Sequence, residues 1–425
     1  MKAVCNSILS IAIQEVMHFY AKRLRYVVAP VLALTGGLVL WNCADEPPPP
    51  PTPTFRSDTL ESRIESIANT GTPSWTPAST WTVVEELRIG VLAEREGPEQ
   101  FSSISSLAVD GDRMIYVLEQ QAQEIRVFHP DGTFSHLIGG PGEGPGELRG
   151  ALGMKLTPER QILTYDIYNA RYSVFERDGA YVIGYPLTIR GGWLMGPWNA
   201  EFDRQGRLID WGVRRPNEPG AINDAHMTYF PIRLSRDFAQ HDTLPAIDWF
   251  FQTTGGVPIP HGGGVTSFID RQGQLWFGHT RDYRVFRRTT EGDTTLVFTL
   301  PARAEGITSE EKDSLVAEWS ALGEGYEIQA GDIPNTKPVL RRILGDNNGH
   351  IFVFPHLLGV PAGSVVDVFM DTGVYLGRVT LPEPLQLSPN PLFRGQYLYG
   401  VVLDDFDIPY VVRYRIRRGV GAARP

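Results

Sequence analysis

From about residue 80 onward, short apolar stretches recur along the chain, and most end at an aspartate- or glycine-rich turn. Ile104–Val109, Met114–Leu118 and Ile125–Phe128 read as three strands, separated by Asp110-Gly111-Asp112 and followed by Asp131-Gly132. Runs this short, with β-branched and aromatic residues and tight turns between them, predict strands rather than helices. The pattern then repeats. Glu96-Gly97-Pro98 returns 47 positions on as Glu143-Gly144-Pro145, Phe101 as Leu148, Val127-Phe128 as Val174-Phe175, and Asp131-Gly132 as Asp178-Gly179. A strand-and-turn repeat of this period predicts propeller blades.

Six units can be written out. The second carries Leu152–Leu156, Ile162–Tyr165 and Tyr172–Phe175. The third and fourth share near-identical turns, Asp203-Arg204-Gln205-Gly206 and Asp270-Arg271-Gln272-Gly273. The fifth runs from Leu340–Leu344 through Asp346–Gly349 to Val365–Phe369, and the sixth from Gln396–Leu403 through Asp404–Asp407 to Tyr410–Ile416. The sixth unit stops one strand short, while Thr82–Val91 is a spare strand ahead of the first. The expected fold is therefore an all-β, six-bladed propeller of four-stranded antiparallel blades over 79–420, closed by its N-terminal strand, with a tail at 421–425. One helical insertion is expected between blades four and five. There Thr308-Ser309-Glu310-Glu311 forms a capping box ahead of Leu315, Trp319 and Leu322.

These features resemble six-bladed propellers of the NHL-repeat or TolB-like type, and especially exported bacterial lipoproteins of that fold with a Gly-x-Gly-Pro-Gly-Glu-Leu turn, here Gly142–Leu148. The resemblance implies a fold and says little about activity.

The N-terminus reads differently. Lys22, Arg23 and Arg25 precede the apolar run Tyr26–Trp41, and Cys43 and a proline-rich stretch follow. That order reads as an export signal over 1–43, with Met17 as an alternative start. It resembles a lipoprotein signal with Cys43 as the lipidated residue, although Asn42 departs from the small residue usual before that cysteine. Residues 44–78 read as a proline-rich, mostly unpacked linker in which Thr59–Ile67 could form a short helix. The chain is thus expected to be exported to a bacterial cell envelope, in the periplasm or at the outer membrane, lipid-anchored and monomeric.

Composition narrows the chemistry. The net charge is −10, which argues against nucleic acid. Both cysteines, Cys5 and Cys43, precede the repeats, so the body has no thiol chemistry. The glycine-rich Gly139–Gly146 lacks a following Lys-Ser/Thr and is not a phosphate loop. Asp404, Asp405 and Asp407 read as a solvated turn rather than a calcium site. The histidines show no tight metal spacing, no Gly-x-Ser-x-Gly elbow is present, and no cofactor or metal is expected.

Strand parity supplies a site argument. In each blade the first and third turns share one face and are short here. The other connections are long: Pro186–Trp198, Gly212–Thr228, Pro245–Gly264, Pro301–Pro338 and Pro355–Ser364. Insertions gathered on one face of a rigid scaffold are where binding is expected. Candidate ligand-binding residues there are Trp193, Trp198, Arg214, His226, His261, His279, Arg281 and His356; the bland alternative is that such side chains cover the loops' own small cores. The expected function is a non-catalytic module that binds a protein, peptide or glycan. The alternative is a metal-dependent hydrolase or lyase, gluconolactonase-like or resembling the NHL lyases, with its site at the central opening.

Overall fold

The computed structural model describes residues 55–60, 64–91, 97–187, 197–214, 226–250, 253–254, 257–323, 327–346 and 348–419. The expected lipidation site, Cys43, lies outside them. The described chain forms a six-bladed β-propeller.

Blade one pairs Ile104–Val109, Ile115–Glu119, Glu124–Phe128 and Phe134–Ile138 in order from the axis outward. Blade two repeats this with Ala151–Leu156, Ile162–Asp166, Arg171–Phe175 and Tyr181–Pro186. Blade three has a two-residue inner strand, Glu201–Phe202, and an outer edge split into His241–Thr243 and Ile247–Phe250. Blade four starts at Val265–Ile269 and blade five at Leu340–Gly345.

Five of the tight turns are built the same way, and in blade two Thr157 Oγ1 takes the place of the carboxylate, accepting the Gln161 N–H at 3.1 Å. The carboxylate of Asp110 accepts the backbone N–H groups of Asp112 and Met114, both at 2.9 Å. Asp203, Asp270, Asp346 and Asp404 repeat this on the residues two and four positions ahead. An aspartate satisfies its own turn's donors, and the fourth position is left-handed, filled by Gly206, Gly273 and Gly349 in three turns and by Arg113 and Asp407 in the others. The same bonds make Asp404 a turn residue, as expected.

The glycine-rich stretches are structural too. The Arg171 guanidinium donates to the carbonyls of Glu143 and Glu147 and to that of Gly144. In the preceding repeat Arg126 holds Pro98 and Gln100. The acid that ends each second strand, Glu119 or Asp166, caps two N–H groups at the start of its own blade.

Closure is as expected. Thr82–Ile89 is the outer strand of blade six, antiparallel to Pro409–Arg417, with Ile89 opposite Val411 and Val83 opposite Ile416. Blade six begins with a short strand, Leu392–Arg394. This pairs the outward edge of Pro409–Arg417, which would otherwise be open.

The linker differs from expectation. Phe55–Leu60 and Ile64–Asn69 are strands, not an unpacked stretch with a helix at Thr59–Ile67. Ile64–Asn69 pairs in parallel with the outer strand of blade four, Thr294–Thr299, and Phe55–Leu60 pairs with it in turn. The free backbone edge of blade four supplies the hydrogen-bonding partner, which local propensity cannot reveal. Asn69 then reaches across to blade five, and Trp75 donates its backbone N–H to Leu376 there. Trp75 stacks on Trp81, so the segment straps blade four to blade six across the outside of blade five.

Candidate binding face

Strand order puts two kinds of connection at opposite ends of the blades. The first turns at Asp110, Asp203, Asp270 and Asp346 and the Asp131, Asp178 and Asp371 turns share one end, whereas the Asp404 turn joins the second and third strands of blade six. The other end carries the long connections, including 244–264, 300–339 and 356–364.

In the insertion after blade four, helix α1 (Ser309–Ser320) starts as the sequence predicts, with Thr308 Oγ1 accepting the Glu311 N–H at 3.1 Å. Leu315 and Trp319 are buried beneath it. The apolar stripe is therefore buried rather than exposed.

Beside this helix, three connections meet. Glu305, from the insertion, accepts a hydrogen bond from Lys337 Nζ at 2.8 Å and one from His356 Nε2 at 3.0 Å. Glu311 of α1 holds Lys337 from the other side at 2.8 Å. Arg341 donates to His356 Nδ1 at 2.7 Å. Because Arg341 can only donate, that nitrogen carries the lone pair and Nε2 carries the proton. Burial, then the Arg341 charge, pushes the His356 pKa down, partly opposed by Glu305. Burial opposes ionisation of Glu305, but Lys337 and His356 outweigh it and lower its pKa.

His261 faces the same cluster from the loop before blade four. Its backbone sits in the left-handed region at φ 58°, and Gly263 follows at φ 84°. Left-handed backbone is uncommon for a side-chain-bearing residue and marks a constrained loop. Burial, helped by the charges of Lys337 and Arg341 and by His356, brings the His261 pKa down to about 4. The exposed Arg281 reaches the carbonyl of Gly262 in that loop at 3.3 Å. His279 is exposed, edge-on to Phe277 and Phe286.

The structure thus gathers His261, Arg281 and His356 at one corner between blades four and five, with His279 ending a strand beside it. Trp198 lies elsewhere. It stacks on Tyr165 at 5.3 Å and donates to the buried Asp210 at 2.9 Å, within the packing of blades two and three. Arg214 ends the second strand of blade three opposite Thr228, and His226 starts the third opposite Phe250. Trp193 lies outside the described residues.

Sequence reading missed Glu305, Lys337 and the role of Arg341, since nothing local says which loops will meet. It also missed Tyr168, Leu358 and Phe406. They sit in the second turns of blades two, five and six, on the long-loop side, and are 51%, 77% and 79% exposed.

Among the described residues no three histidine, cysteine or acidic side chains cluster as a metal site, and no helix is long and apolar enough to cross a membrane. The chain is similar in structure to a DUF4221 family member from Bacteroides vulgatus, at 12% identity over 80% of this chain and 100% of that one, TM-score 0.49. It is similar to virginiamycin B lyase from Staphylococcus aureus at 10% identity, over 79% and 99% of the chains, TM-score 0.43. A gluconolactonase from Xanthomonas campestris shares 12% identity over 74% and 87%, TM-score 0.39. No family model matches the chain, and neither does any curated protein. The class, a six-bladed β-propeller, rests on the strand pairings themselves.

Proposed function

We propose that this protein is a non-catalytic binding module of the bacterial cell envelope, tethered through Cys43, that recognises a protein, peptide or glycan through its long-loop face. The observation that carries the reading is the fixed state of the corner between blades four and five. Both ring nitrogens of His356 are engaged, by Arg341 and Glu305, and Lys337 is held by two carboxylates. Groups tied this way suit a preorganised recognition surface better than proton transfer, which needs a nitrogen open to substrate. Exposed Arg281, His279, Leu358 and Phe406 supply the polar and apolar contacts that recognition surfaces use.

The test is a screen of the purified propeller on glycan and peptide arrays, followed by titration of each hit against His279→Ala and Arg281→Ala. Weakened binding in these variants, with Gln205→Ala on the opposite face unaffected, supports the reading. A stoichiometric metal whose removal abolishes a turnover would overturn it in favour of a hydrolase or lyase.

A further inference from the structure

The first turn of each blade joins its two innermost strands, so these turns form the inner rim of the short-turn end. They share a residue type that the long-loop reading does not use. Blade one places Arg113 there, blade two Arg160, blade three Arg204 and blade four Arg271, and all four are exposed. In blade six, Arg394 ends the inner strand at the same turn and is half-buried. Blade five, with Asp346-Asn347-Asn348-Gly349, has no cation there.

Most acids of these turns are engaged inward. Asp110, Asp203 and Asp270 accept their own backbone N–H groups. Asp110 also pairs with Arg177, and Asp203 with Arg207. Asp112 pairs with Arg160, which leaves Glu159 as the other exposed acid of the rim. Among the described residues no carboxylate forms an ion pair with Arg113, Arg204, Arg271 or Arg394.

Contacts between blades link these four arginines. The Gln272 amide, turned so that its oxygen faces Arg204, accepts that guanidinium at 3.1 Å, beside Arg271. Burial, then the positive charge of Arg271, lowers the Arg394 pKa, so the cations of blades four and six lie within electrostatic reach. Arg394 donates to the Val109 carbonyl at 2.9 Å, next to the blade-one turn. Arg113 of that turn lies over the Tyr397 ring of blade six.

The ring outside this rim has the opposite sign. The third turns of blades one to five each carry an exposed acid: Asp131, Asp178, Asp237, Glu291 and Asp371. Cations set inside a ring of acids draw negative charge to the centre and repel it at the margin. That arrangement favours a compact anion over a chain laid across the face. None of the exposed large apolar side chains among the described residues sits in a first turn, so recognition there falls to charge-assisted hydrogen bonds.

We propose that the inner rim of the short-turn face binds a compact polyanion, a small molecule with two or more carboxylate or phosphate groups, through Arg113, Arg204, Arg271 and Arg394. The site lies at the opposite end of the blades from the long-loop corner and does not depend on what binds there.

The test is calorimetric titration of the intact protein in a zwitterionic buffer at low ionic strength, with tripolyphosphate in one arm and citrate in the other. Saturable binding is expected in at least one arm, and the tighter arm identifies the anionic group. Affinity should fall as salt is raised, because the rim is exposed. The double variant Arg204→Gln/Arg271→Gln should bind about tenfold more weakly with its melting temperature held, and Arg204→Lys/Arg271→Lys should recover part of the loss. Arg303→Gln and Arg281→Ala, in the long connections, should bind as the wild type does. Absence of saturable binding in both arms would overturn the proposal. So would wild-type affinity in the double glutamine variant, or an equal loss in Arg303→Gln, which would show a response to net charge alone. Should the glutamine variant fail to fold, Arg113→Gln in the blade-one turn replaces it, with weaker binding expected and unchanged binding refuting the site.

Discussion

The side chain of Asn69 accepts the backbone N–H of Tyr375, 306 positions away, at 2.8 Å. The same amide donates to the carbonyls of Thr299 and Gly373, at 2.9 and 3.0 Å. One buried side chain thus joins the N-terminal strap, the outer edge of blade four and the turn of blade five. Asn69→Ala strands these backbone groups, and each orphaned buried partner costs about 1–3 kcal/mol. We expect a loss of about 2–3 kcal/mol in urea unfolding, with blade topology unchanged. A loss under about 0.5 kcal/mol would show that the strap adds little.

Ring closure and strapping are separable by truncation. Removing residues 1–54 should leave melting nearly unchanged, since it spares both added strands. Removing 1–81 deletes the strap but keeps Thr82–Ile89, so melting should fall while the protein stays monomeric. Removing 1–92 uncovers the edge of Pro409–Arg417, and self-association should follow. Light scattering distinguishes the three. A monomeric, equally stable 1–92 deletion would contradict closure by the N-terminal strand.

His261 predicts a pH dependence with a definite sign. Its pKa is about 4 when folded and 6.5 in the unfolded reference. The unfolded state therefore binds more protons between these values. The contribution to stability is fully present above about pH 6.5 and is lost as pH falls toward 4, on the order of 2–3 kcal/mol. Asn tolerates left-handed backbone, so His261→Asn should keep the loop and flatten the melting profile in that window. Parallel profiles for wild type and variant would show that His261 is not the group responsible.

Asp367 ties blades four and five together from within. It accepts Tyr283 at 2.7 Å, Tyr375 at 3.2 Å and Arg378 at 2.7 and 3.0 Å, and is fully buried. Asp367→Asn leaves the guanidinium without its counter-charge. The expected cost is about 2–3 kcal/mol, below that of a sealed pair because Arg378 is 38% exposed. Calorimetry of the two proteins measures it, and an unchanged transition would remove Asp367 from the account of blade docking.

The propeller was legible because its signals are local. Asp110, Asp203, Asp270 and Asp346 each satisfy their own turn, so sequence and geometry agree turn by turn. The missing fourth strand of blade six followed from counting. The strap did not, because Ile64–Asn69 becomes a strand only where the edge of blade four receives it. Helix α1 was readable from Thr308 and Glu311, which are three residues apart. The corner around His356 was only half readable: parity placed His261, Arg281 and His356 on one face, but the meeting of Glu305 with Lys337 and His356 depends on how a long insertion folds back. Trp198 shows the reverse case, an aromatic in a loop-rich stretch that packs against Tyr165 and Asp210.

The central claim, recognition through the long-loop face, is tested most directly by measuring the affinity of one array-identified ligand for the wild type, Arg281→Ala, His279→Ala and Gln205→Ala. The account predicts that at least one of the first two variants binds about 30-fold more weakly, the loss of an anchor worth about 2 kcal/mol, with its melting temperature held. It predicts that Gln205→Ala binds as the wild type does. Normal binding by both long-loop variants, together with loss of binding by Gln205→Ala, would place the site on the opposite face and contradict the account.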